Sequence, residues 1–323
     1  MNNRTGKIIS VLLSAIMLFS LLAGCAEDIG ENVLPASGDR RIRIVTTLFP
    51  QYDFARTISG DKAEVSILLD PGVESHMYDP SVKDMVKITE CDVFIYTGEL
   101  MEPWAARITG GLGEKGPVVI DASAGIELIE SNHHHGEEEH DHEEEEPELD
   151  PHIWLDLALA AEMVDNIAAG ISLADPDNSE YYMQNARDYK KEILALDGEF
   201  FETVSSGKRD TLVFGGPFAY SYLFERYGLD HVGLYDSCSS EAEPSMARMR
   251  EIIDYMGANE VKILFIDENG EGRPAASVAA QTGAECVVFH TCHNLALSEA
   301  ESGAAFTGLM RKNLEALERG LNE

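Results

Sequence analysis

Ten histidines occur in this chain, and their surroundings divide them into two groups. His133, His134, His135, His140 and His142 crowd into the acidic tract SNHHHGEEEHDHEEEE. That tract offers imidazole and carboxylate donors to divalent cations but has no apolar residue with which to build a core, so a disordered, metal-collecting loop is expected. The other five, His76, His152, His231, His290 and His293, sit in ordered-looking sequence. His76 follows VSILLDPGVES, His152 stands in DPHIWLD just ahead of a helical pattern, and His290 directly follows ECVVF. All three fall in loops at the ends of strand-like runs, where open α/β sheets bind their ligands. Three neutral imidazoles with a fourth position for water or an acid make a zinc site. His231, inside the strand-like DHVGLY, reads as structural, and His293 either supports a ligand from behind or, the preferred reading, faces solvent. A zinc enzyme could use the same three-histidine set, but no HExxH or comparable base accompanies it, so binding rather than catalysis is expected.

Such histidines need rigid loops, and the pattern around them supplies the elements. From Ile42 onward, short apolar runs (IRIVTT, AEVSILLD, CDVFIYTG, PVVIDA) alternate with amphipathic stretches, and a second series (TLVF, HVGLY, VKILFID, ECVVF) repeats the pattern after residue 204. Strands alternating with helices predict two mostly parallel α/β lobes. Between them lie two helical stretches, the longer from about Ser179 to Phe201, which would join the lobes rigidly and leave a cleft for His76, His152 and His290. The expected division is a leader over 1–24, a tether over 25–40, a first lobe over 41–156 with the histidine-rich loop at 131–148, linking helices over 157–203, and a second lobe over 204–323.

The first 24 residues carry Arg4, Lys7 and then the apolar run IISVLLSAIMLFSLL, about 15 residues, short of the roughly 20 that span a bilayer as a mature helix. Ala23 and Gly24 before Cys25 resemble a bacterial lipobox, which predicts cleavage and lipidation at Cys25 and a place on the outer face of the cytoplasmic membrane. The formal charge of −34 becomes −36 once Arg4 and Lys7 leave with that leader. A field of that sign disfavours nucleic acid and favours cations. Cys91 and Cys286 lie in apolar runs as small core residues, whereas Cys238 in DSCSS and Cys292 in HTCHN lie in loops and could form a disulfide outside the cytoplasm.

The stretches DPGVESHMYDPSVKDM and DPHIWLD resemble the first two ligand motifs of the metal-binding lipoproteins that serve zinc and manganese ABC importers. GELMEPWAARI, DPDNSEYYMQNARDY, SEAEPSMARM and FTGLMRKNLEALERGL are similar to further segments of that family, in the same order, over about residues 42 to 321. The resemblance implies two α/β lobes joined by a long helix, a buried transition-metal site between them, and a monomer that delivers its ion to a membrane permease. A histidine-rich insert ahead of the second histidine is typical of the zinc members. Adhesion or surface metal buffering is the alternative role kept open.

One departure stands out. The family's third ligand precedes an aromatic-rich helix and YGL, and in VFGGPFAYSYLFERYGL the matching position is Gly215, which has no donor. The family's fourth ligand, after the last strand, falls on His290. The expected set is therefore His76, His152 and His290, with water, Glu241 or Glu243 completing it. Three imidazoles favour zinc over manganese, which prefers oxygen.

Overall fold

A computed structural model describes residues 40–73, 75, 78–113, 115–131, 149–235, 243–270 and 272–323. The expected leader, Cys25, His76, Cys238, Glu241 and all five histidines of the acidic tract lie outside the described residues. Arg41–Glu323 form one compact unit.

Two four-stranded parallel sheets organise it. In the first, β1 (Ile42–Thr46), β2 (Ala63–Ile67), β3 (Val93–Tyr96) and β4 (Val118–Asp121) take the order β2-β1-β3-β4. In the second, β5 (Thr211–Phe214), β6 (Asp230–Gly233), β7 (Ile263–Ile266) and β8 (Glu285–Val288) repeat the topology as β6-β5-β7-β8. Every strand was expected from its apolar run. Both faces of each sheet are covered, so successive side chains enter different cores. In β3, Val93 and Ile95 enter the central core and Phe94 the outer one. In β7, Ile263 and Phe265 enter the central core, Leu264 and Ile266 the outer one.

Ten helices among the described residues surround the sheets: α1 (Phe49–Ser59), α2 (Val82–Glu90), α3 (Pro103–Thr109), α4 (Leu157–Ala174), α5 (Ser179–Ser205), α6 (Ser221–Tyr227), α7 (Met246–Ala258), α8 (Gly272–Thr282), α9 (Leu297–Ser302) and α10 (Phe306–Asn322). Asp156 caps α4 by accepting from the amides of Ala158 and Leu159 at 2.7 and 3.2 Å. That helix packs closely on the first sheet as well as on α5. A Cβ on Gly170 would lie 2.3 Å from Ile120 Cδ1, so only glycine permits the approach.

The 27-residue α5 buries Tyr182, Ala186, Tyr189, Ile193, Leu196 and Phe200 at three- and four-residue steps, one continuous stripe. It contacts α1 and α4 on one side and α10 on the other. Two polar contacts fix it to both halves. Asp53 of α1, wholly buried, accepts from the Tyr189 hydroxyl at 2.7 Å and from the Phe306 amide of α10 at 3.1 Å. Arg226 of α6 grips Asp197 through two hydrogen bonds of 2.6 Å, a planar fork on a carboxylate. The central core runs without interruption from Ile44 and Ile95 through Tyr189 and Ile193 to Leu212 and Phe265. Separating the lobes would expose that apolar surface to water, so the shared core opposes hinge opening.

Candidate metal site

The turn after β1 meets the loop after β8, and these loops carry the residues described next. At the first sheet's crevice, between β1 and β3, Glu102 accepts from the Thr97 amide at 2.7 Å and from the Thr47 hydroxyl, while Gln51 accepts from the Leu48 amide at 2.7 Å. Burial pushes the Glu102 carboxyl up to about 7, against the hydrogen bonds from Thr47 and Thr97 that favour its charged form. This network sets the turn from β1 into α1.

His152 sits at the head of a short 3-10 turn (Ile153–Leu155) and is completely buried. Asp150 Oδ1 holds it twice, accepting from the backbone N–H at 2.8 Å and lying 2.7 Å from Nδ1. Burial raises the Asp150 carboxyl, but the hydrogen bond and charge of His152 outweigh it, and the group ends below its ordinary value. A carboxylate accepts only, so Nδ1 carries the proton and Nε2 is the nitrogen with a lone pair. Tyr222 of α6 clamps this loop from the second lobe, donating to the Asp150 carbonyl at 3.0 Å while accepting from the Ile129 amide at 3.1 Å.

The loop after β8 brings the second half. Cys292 adopts a left-handed conformation (φ 58°), which turns the chain sharply between His290 and His293. His290, expected as a ligand, makes several contacts within its own lobe. Its backbone is locked by Asn313, whose side chain accepts from the His290 amide at 2.6 Å and donates to its carbonyl at 2.8 Å. Its Nδ1 accepts from the Cys292 amide at 2.8 Å, so the ring proton lies on Nε2, 3.1 Å from Glu299. A neutral imidazole has one lone pair, and here the Cys292 amide takes it. Glu299 answers with a carboxyl lowered to about 2, chiefly by that hydrogen bond from His290.

His293, expected to face solvent, is instead 9% exposed and meets His152 edge to face, with ring centroids 4.6 Å apart. Its Nδ1 lies 2.7 Å from Thr291 Oγ1. Trp154 packs edge-on against both rings at 5.5 and 5.2 Å and donates its indole N–H to the Thr291 carbonyl at 2.9 Å, across the two lobes. The structure therefore brings together His152 and His293. Among the described residues no group of three His, Cys, Asp or Glu side chains converges as a complete metal cage.

The same loop is also tied to α1 and to the segment after β2. The Phe49 amide donates to the His293 carbonyl at 3.1 Å, and the Gly72 amide to the Leu295 carbonyl at 2.9 Å. Asn294 Nδ2 donates to the carbonyls of Asp70 and Val73 at 2.7 and 3.0 Å. Residues 70–73, just ahead of His76 in the chain, are thus tied to the residues that flank His293.

The remaining expected positions are placed as follows. Gly215 points into the second lobe's outer core, where an added Cβ would fall 2.8 Å from Ala275 Cβ and 3.1 Å from Leu264, so no ligand side chain fits there. Glu243 is exposed at the approach to α7. His231 stacks on Phe218 with ring centroids 3.5 Å apart, a packing role as expected. Of the expected Cys238–Cys292 disulfide, Cys238 lies outside the described residues; the Cys292 thiol is free and wholly buried, its Sγ 4.0 Å from Met310 Sδ, and desolvation raises its pKa well above the ordinary value. Sequence reasoning did not anticipate the burial of His293 or its contacts with His152 and Thr291. The only signal was the second histidine of HTCHN, which nothing local distinguishes from the first.

Comparison with known proteins locates the fold. Residues 44–320 match the family model described as zinc-uptake complex component A, periplasmic. The high-affinity zinc uptake system protein ZnuA of Bacillus subtilis (strain 168) is 34% identical over 304 residues, 94% of each chain. The zinc-binding lipoprotein AdcA of Streptococcus pneumoniae is 32% identical over 319 residues, 97% of this chain and 61% of that longer protein. The Zn(II)-bound ZnuA-like domain of S. pneumoniae AdcA superposes with a TM-score of 0.74 at 30% identity, over 88% of this chain and all of that domain. The laminin-binding protein Lmb of Streptococcus agalactiae, described as bifunctional with adhesin and metal transporting activity, superposes with a TM-score of 0.73 at 30% identity, over 87% of this chain.

Proposed function

Because the chain belongs to the zinc-uptake complex component A family, we propose that it is an extracytoplasmic zinc receptor that captures Zn²⁺ in its cleft and passes it to an ABC importer permease. The observation that carries this reading is the buried pair of imidazoles from opposite lobes, 4.6 Å apart, each with Nδ1 engaged by its own loop. Nε2 is then the nitrogen each ring presents as a donor. Zinc takes imidazole nitrogens at about 2.0–2.1 Å, so two rings this close need only small rotations to share one ion. His76 supplies the third nitrogen by its motif, and His293 replaces His290 as the donor of the second lobe. Three imidazoles suit zinc better than manganese. The tract with His133, His134, His135, His140 and His142 gathers ions near the cleft, and lipidated Cys25 anchors the receptor to the outer face of the cytoplasmic membrane.

The test is a competitive zinc titration against a strong chelator, with metal stripped beforehand, on the full chain and on the chain lacking residues 131–148. One tight equivalent is expected in both, lost in His152→Ala and His293→Ala and kept in His290→Ala where that variant remains folded. Tight binding that disappears with the tract would move the site out of the cleft. Tight binding that survives His293→Ala but not His290→Ala would restore the ligand set read from the sequence.

A further inference from the structure

Nδ1 of His152 meets a carboxylate, whereas Nδ1 of His293 meets the Thr291 hydroxyl. We propose that Glu268 and Thr291 form a carboxylate–hydroxyl–imidazole relay that fixes the tautomer and ring orientation of His293, making both positioning residues for zinc capture. The inference rests on His293 being a zinc donor.

The geometry allows one arrangement of protons. Thr291 Oγ1 lies 2.5 Å from Glu268 Oε1, and a hydroxyl has a single proton to give. A carboxylate only accepts, so that proton points at Glu268. Oγ1 then has only lone pairs for His293 Nδ1 at 2.7 Å, which must carry the ring proton. The backbone N–H of His293 also reaches Oγ1, at 3.3 Å. Glu268 is itself held, its Oε2 accepting from the Thr291 amide at 3.0 Å, so carboxylate and hydroxyl cannot drift apart. Its nearest other ring nitrogen, His290 Nδ1 at 3.8 Å, has its lone pair on the Cys292 amide and does not compete for the hydroxyl proton. The result is a lone pair on His293 Nε2, fixed from behind by the carboxylate through the hydroxyl. Glu268 follows β7, one of the two central strands of the second sheet, so the relay ties the loop after β8 to the end of a central strand. The two donors of the pair are thus built alike, one carboxylate in direct contact and the other one hydroxyl removed.

The experiment compares Thr291→Val, which keeps the shape and deletes the hydroxyl, with Thr291→Ser, which keeps the hydroxyl, in the full chain. Two quantities are read: the His293 tautomer in the metal-free protein from ¹⁵N–¹H ring correlations, and zinc affinity by chelator competition. The wild type is expected to show the proton on Nδ1. Thr291→Val is expected to populate the Nε2-protonated form and to weaken zinc binding about 10- to 100-fold, the usual cost of losing such a supporting contact. Thr291→Ser is expected to restore both. An Nε2 proton in the wild type overturns the relay without any variant, as does a Thr291→Val protein that keeps the wild-type tautomer and binds within twofold. His293→Ala in the same titration separates the two layers: unchanged affinity sinks the ligand assignment, whereas lost affinity beside a silent Thr291→Val sinks the relay alone.

Discussion

Glu102 makes the stability of the first lobe depend on pH in a direction opposite to that of an ordinary salt-bridged acid. It is 3% exposed, and burial lifts its carboxyl from 4.5 to about 7. Between those values the folded chain holds a proton that the unfolded chain has released, so stability is full below about pH 4.5 and is lost as pH rises through 7. At about 1.4 kcal/mol per pH unit, the displacement amounts to about 3 kcal/mol. Glu102→Gln is close in shape to the protonated acid and does not titrate. Urea unfolding of both proteins at 25 °C, from pH 4.5 to pH 8, isolates the effect, because the many other acids cancel in the difference. The variant should gain about 3 kcal/mol on the wild type across that range, most of it between pH 5 and 7. A difference that stays constant within about 0.5 kcal/mol would show that Glu102 is ionised in the folded chain and that the hydrogen bonds from Thr47 and Thr97 overcome its burial. The outcome bears on the cleft, because the turn that Glu102 supports continues to Phe49, whose amide holds the His293 carbonyl at 3.1 Å.

Further expectations follow from single contacts. Glu299→Gln should cost about 2 kcal/mol at neutral pH, since the carboxyl lowered to about 2 contributes stability above its ordinary 4.5 that fades as pH falls toward 2; chelator competition should find zinc affinity within twofold of wild type. Gly215→Ala should destabilise by about 1–3 kcal/mol in chemical unfolding, because the new Cβ meets Ala275 at 2.8 Å, and should not strengthen zinc binding. Trp154→Phe removes the indole bond to the buried Thr291 carbonyl and should cost about 1–3 kcal/mol in thermal unfolding while speeding zinc release measured by stopped flow.

The sequence by itself determined the architecture. Four- and five-residue apolar runs set between helical stretches are local signals, and a parallel sheet covered on both faces demands that pattern, so all eight strands and the long α5 were legible. The motif around His152 was legible for the same reason, since Asp150, two residues away, is the partner that orients it. The proposal of His293 rather than His290 as a ligand rests on tertiary contacts alone. Both occur in HTCHN, and their difference lies in side chains brought from the loop after β7, from α9 and from α10: Glu268 behind Thr291 on one side, Glu299 and Asn313 around His290 on the other. Gly215 is similar, for the atoms that forbid a ligand there belong to Leu264 and Ala275. A ring nitrogen becomes a donor only when its other contacts leave it a lone pair, and those contacts come from residues that are distant in the chain and adjacent only after the two sheets have packed around one core.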